Sequence, residues 1–161
     1  MKTKQLYVRD GRRFVKLPTI MDQHTTTKVG MYYNEDGSFS EEKTQFSIGL
    51  CINEDVKTIS IVHLNYYPGV NWISAKNWAE AQFNGKGHLP SRLEGAQIIE
   101  FHKKLPVFEH NLFIWTSLEC GSDLAWYWGW YSSYSFVSFD GTNKDYVGQD
   151  YCALSILTLN K

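Results

Sequence analysis

The apolar pattern changes period twice along the chain. Residues 6–8 and 14–17 are short apolar runs flanking Asp10 and Gly11, the signature of a β-hairpin. Residues 18–29 are polar and Thr-rich and predict a loop, and Tyr32 and Tyr33 lead into an Asn-Glu-Asp-Gly turn at 34–37. Two β-branched runs, 46–52 and 58–64, meet at an Asn-Glu-Asp turn at 53–55 and predict a second hairpin. The period then becomes helical. Ala75, Trp78, Ala79 and Phe83 share one helix face, with Ser74 as the expected cap and Asn84-Gly85 as the stop. Ser91 and Glu94 form a capping box that opens a second helix. Its apolar set is Leu93, Ala96, Ile98, Ile99, Phe101 and Leu105, and Pro106 ends it. Strand-like runs return at 112–116, 125–131, 136–139 and 151–157. Strands, two helices and strands again predict one α+β domain over residues 1–161, with a twisted antiparallel sheet. Residues 1–29 form an N-terminal hairpin extension to it, and 112–157 its ligand-presenting sheet and loops.

The last third carries the most unusual pattern. Residues 126–139 read WYWGWYSSYSFVSF, aromatic and Ser-rich with no charge. On a strand, Trp126, Trp128 and Trp130 point to one face and Tyr127 and Tyr131 to the other. Trp126 is expected to pack in the core. Trp130, Tyr131 and Tyr134 approach the strand end, where exposure is expected. Tyr and Ser together suit a recognition surface, because Tyr supplies rigid contact area and Ser adaptable hydrogen bonds. The candidate ligand-binding residues are therefore Tyr127, Trp130, Tyr131, Ser132, Tyr134 and Phe136. The loop residues Cys120, Gly121, Ser122 and Asp123 join them, with Asn143, Asp145 and Tyr146 as a polar rim. Trp72 and Trp78 are expected in the core, His63 and His88 as structural histidines, and Asp10 and Asp36 as turn residues. His102 and His110 fall near the end of the second helix, where its dipole favours a cation.

Composition narrows the function classes. Of 161 residues, 43% are hydrophobic and 20% charged, with a net charge of −1, which fits a globular protein and gives no footprint for polyanion binding. The three cysteines have no CxxC spacing, so free thiols are expected, although Cys120 and Cys152 could meet across a sheet. Five scattered histidines suggest no metal site, and no cofactor is implied. The N-terminus has basic residues but no apolar signal core, and no run approaches a membrane span. No set of residues demands an enzyme.

Several short words in order resemble a known family. Gly87 to Ser91 with Glu94 resembles the "LP(S/T)xxE" helix opening of C-type-lectin-like domains in bacterial surface and phage proteins. Trp115-Thr-Ser117 with Glu119 resembles that family's "WSSTE" strand, Ala125-Trp126-Tyr127 its "AWY" strand, Phe139-Asp-Gly141 its short turn, and Tyr151-Cys-Ala153 its last core strand. Gly30 to Tyr33, Asp36 to Ser38 and Ile48-Gly49 are similar to the lead-in of members from gut Bacteroidetes. The resemblance covers about residues 30–157, and within the fold it runs closest to the variable proteins of diversity-generating retroelements. It implies a fixed scaffold with diversified C-terminal positions, here around 120–124, 127–136 and 142–146. The ending Leu154-Ser-Ile-Leu157 departs from the Arg-containing ending common in that family. The Glu-Pro-Asn, Gln-Pro-Asp and Trp-Asn-Asp triplets of calcium-dependent lectins are absent, and the cysteines do not reproduce the pair of formylglycine-generating oxidases.

The expectation is a non-catalytic binding protein. Its partner would be a protein or glycan on a target cell surface, with no nucleic acid, no membrane insertion, and an oligomer possible. A virion or cell-surface setting is favoured. The alternatives are an oxidase-like enzyme or an assembly subunit whose aromatic surface is an oligomer interface.

Overall fold

The computed structural model describes residues 27–109, 112–131 and 136–161, together with two N-terminal strands. Those strands, β1 (Tyr7–Asp10) and β2 (Arg13–Lys16), pair antiparallel with Asp10 opposite Arg13, as the hairpin signal predicts. Next come β3 (Tyr32–Asn34), β4 (Phe39–Ser40), β5 (Ser47–Glu54) and β6 (Thr58–His63). The turn between β5 and β6 lies two residues later than the sequence pattern suggests. Asp55 causes this: its carboxylate accepts the backbone N–H groups of Lys57 (2.7 Å) and Thr58 (2.8 Å) and the Thr58 hydroxyl (2.8 Å), and so builds the turn around itself.

After β7 (Tyr67–Pro68) the chain enters α1 (Trp72–Gly85). Its cap is Asn71, whose side chain accepts the Ser74 N–H at 2.9 Å; Ser74 is the recipient of the cap and not its donor of an acceptor oxygen. Phe83 and Asn84 leave the helix in left-handed conformations (φ 51° and 59°), which ends it as expected. β8 (Gly87–His88) leads to α2 (Arg92–Glu100), and here the capping box forms as predicted: Ser91 N–H donates to Glu94 Oε2 at 2.8 Å and Glu94 N–H to Ser91 Oγ at 3.3 Å. The helix is shorter than its apolar pattern suggests. It gives way to two 3-10 turns, His102–Lys104 and Pro106–Glu109, and Leu93 is 64% exposed instead of facing the core. The face that meets the sheet contains Gly95, set against the indole of Trp128.

The C-terminal strands are β9 (Leu112–Glu119), β10 (Leu124–Tyr131), β11 (Phe136–Asn143), β12 (Tyr151–Ala153) and β13 (Ile156–Asn160). The single strand expected over 151–157 is two. It breaks at Leu154 and Ser155, where Ser155 accepts the His63 N–H through its carbonyl (2.8 Å) and donates its hydroxyl to the Ala79 carbonyl (2.8 Å). β12 and β13 consequently belong to different sheets. One is five-stranded in the order β11-β10-β9-β12-β7, with β9 and β12 parallel; the other is six-stranded and antiparallel, β4-β3-β5-β6-β13-β8. The protein is thus α+β, with mixed and antiparallel sheets where one antiparallel sheet was expected.

A core of Leu50, Val62, Ile98, Ile114, Trp128, Leu154 and Ile156 joins α2 to both sheets. A second cluster, including Trp72, Ala75, Ala79, Trp115 and Ala153, fixes α1 to the opposite face of the five-stranded sheet. That sheet is therefore covered on both sides in part, and the α1 cover leaves Phe113, Tyr127 and Tyr131 partly exposed.

Candidate functional site

The two faces of β10 separate indole from phenol. Trp128 (3% exposed) and Trp130 (7% exposed) point into the core shared with α2. Trp128 also donates its indole N–H to the Arg92 carbonyl at 3.1 Å. The expectation that Trp130 lies exposed is wrong, because the 3-10 turns after α2 close over it. His102 stacks on its ring at 4.8 Å and Phe108 meets it edge-on at 5.7 Å. Trp126, expected in the core, is half-buried: its ring lies parallel to Phe139 (4.9 Å, 5°), with the Arg92 guanidinium 4.8 Å from the Phe139 centroid.

The other face carries Ala125, Tyr127, Gly129 and Tyr131 from β10, Phe113 and Trp115 from β9, and Tyr151 and Ala153 from β12. α1 and the segment before it bury Trp115, Ala125 and Ala153. Phe113, Tyr127 and Tyr131 remain half-exposed, and Tyr146 is 51% exposed. These rings form one continuous edge-to-face array. Phe113 meets Tyr127 at 5.4 Å, Tyr131 at 5.6 Å and Tyr151 at 4.9 Å, while Tyr151 meets Tyr127 and Tyr146, both at 5.1 Å. Gly129 lies beneath the array: a Cβ there would sit 2.6 Å from Ser138 Oγ and 3.2 Å from both the Phe113 and Tyr131 rings. Asp140 stands directly opposite Tyr127 across the β10–β11 ladder and so projects from the same face.

Tyr127 and Tyr151 stay protonated at neutral pH. Burial raises the pKa of Tyr127, and the Asp140 carboxylate raises it further; burial likewise raises Tyr151, with Tyr127 adding to it. They can therefore donate as well as accept hydrogen bonds.

The predicted site residues divide into two groups. Tyr127, Tyr131 and Tyr146 belong to the ring array. Cys120, Gly121, Ser122, Asp123, Asn143 and Asp145 lie exposed at the opposite end of β10 from Tyr131. That strand is roughly 23 Å long at 3.3 Å per residue. Lys144 organises the second group. Its ammonium donates to Glu119 Oε2 (2.6 Å), the Ser122 carbonyl (2.8 Å) and the Gly121 carbonyl (3.3 Å), and it lies 5.0 Å from the Trp72 ring centroid. The Lys144 N–H also bonds the Asp123 carbonyl at 2.8 Å. Lys144 in turn holds the carboxyl of Glu119 below its ordinary pKa. Ser132 and Tyr134 lie outside the described residues, as does His110; Phe136 is described only through its backbone pairing with Tyr131.

Sequence reasoning missed Phe113, Tyr151 and Asp140 as members of the site. The signal that finds them is strand parity: once Tyr127 and Gly129 share a face, the residues opposite them along the ladder, Asp140 on β11, Phe113 on β9 and Tyr151 beyond it on β12, must share it too.

The thiols show a contrasting environment. Cys51 and Cys152 are buried, Cys120 is exposed, and all three are free, so the Cys120–Cys152 pairing does not form. Burial pushes the Cys51 pKa to about 11 and raises that of Cys152 as well. Among the described residues no group of His, Cys, Asp and Glu has the arrangement of a metal site, and no helix is long and apolar enough to cross a membrane. Compared with known proteins, the chain matches no family model and no curated sequence.

Proposed function

We propose that this chain is a non-catalytic ligand-binding domain with a C-type-lectin-like fold, whose recognition surface is the tyrosine face of the five-stranded sheet. The observation that carries the reading is the partition of β10. Trp128 and Trp130 are consumed by the core, while Tyr127 and Tyr131 stay in contact with solvent on a strand held by neighbours on both sides, beside Phe113 and Tyr146. Rigid aromatic rings of this kind contribute contact area at little entropic cost, and Tyr is enriched where binding energy concentrates. The polar loops at 120–123 and 143–146, tied together by Lys144, supply adaptable flanks. The sequence resemblance to retroelement-diversified proteins implies variation in those same loops. A recognition protein of a phage or cell surface is the setting this reading favours.

The oxidase-like alternative is disfavoured by the thiols themselves. A reactive cysteine needs a lowered pKa and access, and the Cys51 and Cys152 thiols have the reverse of both. The assembly-subunit alternative draws support from β11, whose outer edge pairs with no described strand.

The test is an array of cell-surface glycans and envelope proteins probed with wild type and a Tyr131→Ala/Tyr146→Ala variant. The reading expects a wild-type hit that the variant loses by tenfold or more, with folding unchanged. Equal binding by the variant would refute it.

A further inference from the structure

The tyrosine face is polarised. Asp140, on the edge strand β11, is the carboxylate beside the ring array, opposite Tyr127, and it is exposed. One of its oxygens accepts the N–H of its neighbour Gly141 at 2.8 Å, and it makes no ion pair with any described residue. The nearby cation, Lys144, does not answer it. That ammonium is withdrawn onto Glu119 and two carbonyls, with its side chain 12% exposed. The rim adds further negative charge. Asp150 abuts the array through its carbonyl, which accepts the Phe113 N–H at 2.8 Å, and exposed Asp145 precedes Tyr146. The π-faces of Tyr127, Tyr131 and Phe113 carry negative partial charge of their own. Rings and carboxylate therefore present one sign of potential to whatever docks.

Building on the ligand-binding reading, we infer that this face takes a cationic side chain, the guanidinium or ammonium of an Arg or Lys on a protein partner, seated on the Tyr127 ring beside Asp140. A guanidinium suits the geometry best. Its flat face rests on a phenol ring while its edge N–H groups reach the free carboxylate oxygen. A neutral sugar could use the same rings but would leave the charge of Asp140 without a counterpart.

The experiment follows tyrosine ring resonances by NMR while three probes are titrated at low salt. They are a blocked Gly-Arg-Arg-Arg-Gly peptide, the same peptide with citrulline for arginine, and maltotriose. The inference expects the arginine peptide to shift the Tyr127 ring. It expects affinity to be weaker by about fivefold to tenfold for the citrulline peptide and for arginine peptide against Asp140→Asn, and to fall with added salt. Asp140→Asn retains the oxygen that accepts the Gly141 N–H, so folding is preserved, and its spectrum verifies this. Equal binding of arginine and citrulline peptides, or equal binding by Asp140→Asn, overturns the inference. Shifts from maltotriose alone also overturn it while leaving the ligand-binding reading intact. Silence from all three probes overturns it too, and the broader reading is then judged on the array experiment.

Discussion

Gly95 of α2 and Trp128 of β10 share a contact with no room for a methyl group. A Cβ on Gly95 would overlap Cδ1 and Nε1 of the indole, whose N–H is meanwhile held by the Arg92 carbonyl one turn away. This contact sets how closely α2 approaches the sheet, and hence that the indole side of β10 is the buried one. Replacing Gly95 with Ala is expected to destabilise the fold by about 1–3 kcal/mol, the usual cost of overpacking, despite the better helix propensity of Ala. Thermal unfolding followed by circular dichroism checks this. An unchanged midpoint would mean the helix slides without cost.

Lys144 joins the two polar loops, so its loss should free the 119–123 segment while sparing the core. Lys144→Met removes the three hydrogen bonds of the ammonium and its position over the Trp72 ring while keeping an unbranched side chain. Because Glu119 is exposed, the stability loss should be small. Amide exchange at Cys120 should rise markedly, since its N–H bond to the Leu124 carbonyl closes the same loop. Unfolding in urea and hydrogen exchange give the two readouts.

The thiols should react unequally. Cys120 is exposed, and Cys51 and Cys152 are buried. An aromatic disulfide reagent at neutral pH should modify one thiol per chain quickly in the native state and all three in denaturant. Rapid native reaction of a second thiol would contradict the burial described for β5 and β12.

Some of this was readable from the sequence and some was not, for physical reasons. The Ser91–Glu94 capping box and the hairpins depend on residues a few positions apart, so local chemistry decides them. The cap of α1 was misassigned to Ser74 because two suitable residues, Asn71 and Ser74, stand three apart and either spacing is acceptable. The break at Leu154 and Ser155 has no local cause at all, since it arises from bonds to His63 and Ala79. For the site, alternation correctly separated the tryptophans from the tyrosines of β10. It could not say which set faces water, because both are large and aromatic. What buries Trp130 is His102 and Phe108, some twenty or more residues earlier, His102 in a turn that the sequence pattern reads as helix and Phe108 beyond the expected stop at Pro106.

His63 gives a pH dependence of known sign. Burial lowers its pKa below the ordinary 6.5, and its ring nitrogen Nδ1 accepts the Asn65 N–H at 3.0 Å. The unfolded chain therefore binds the proton more readily. This contribution to stability is complete above 6.5 and is lost as pH falls from there through the lowered folded value. Denaturant unfolding at about pH 7.5 and about pH 5 should show a smaller acid loss for His63→Gln than for wild type. An equal loss in both would assign the effect to other groups.

The central claim is that Tyr127 and Tyr131 of β10 meet water while Trp128 and Trp130 do not. Hydroxyl-radical footprinting read by mass spectrometry tests it residue by residue. The account predicts fast modification of Tyr146 and Tyr131, intermediate modification of Tyr127, and slow modification of Trp115, Trp128 and Trp130. Modification of Trp128 and Trp130 faster than Tyr131 and Tyr146 would reverse the strand's orientation and contradict the account.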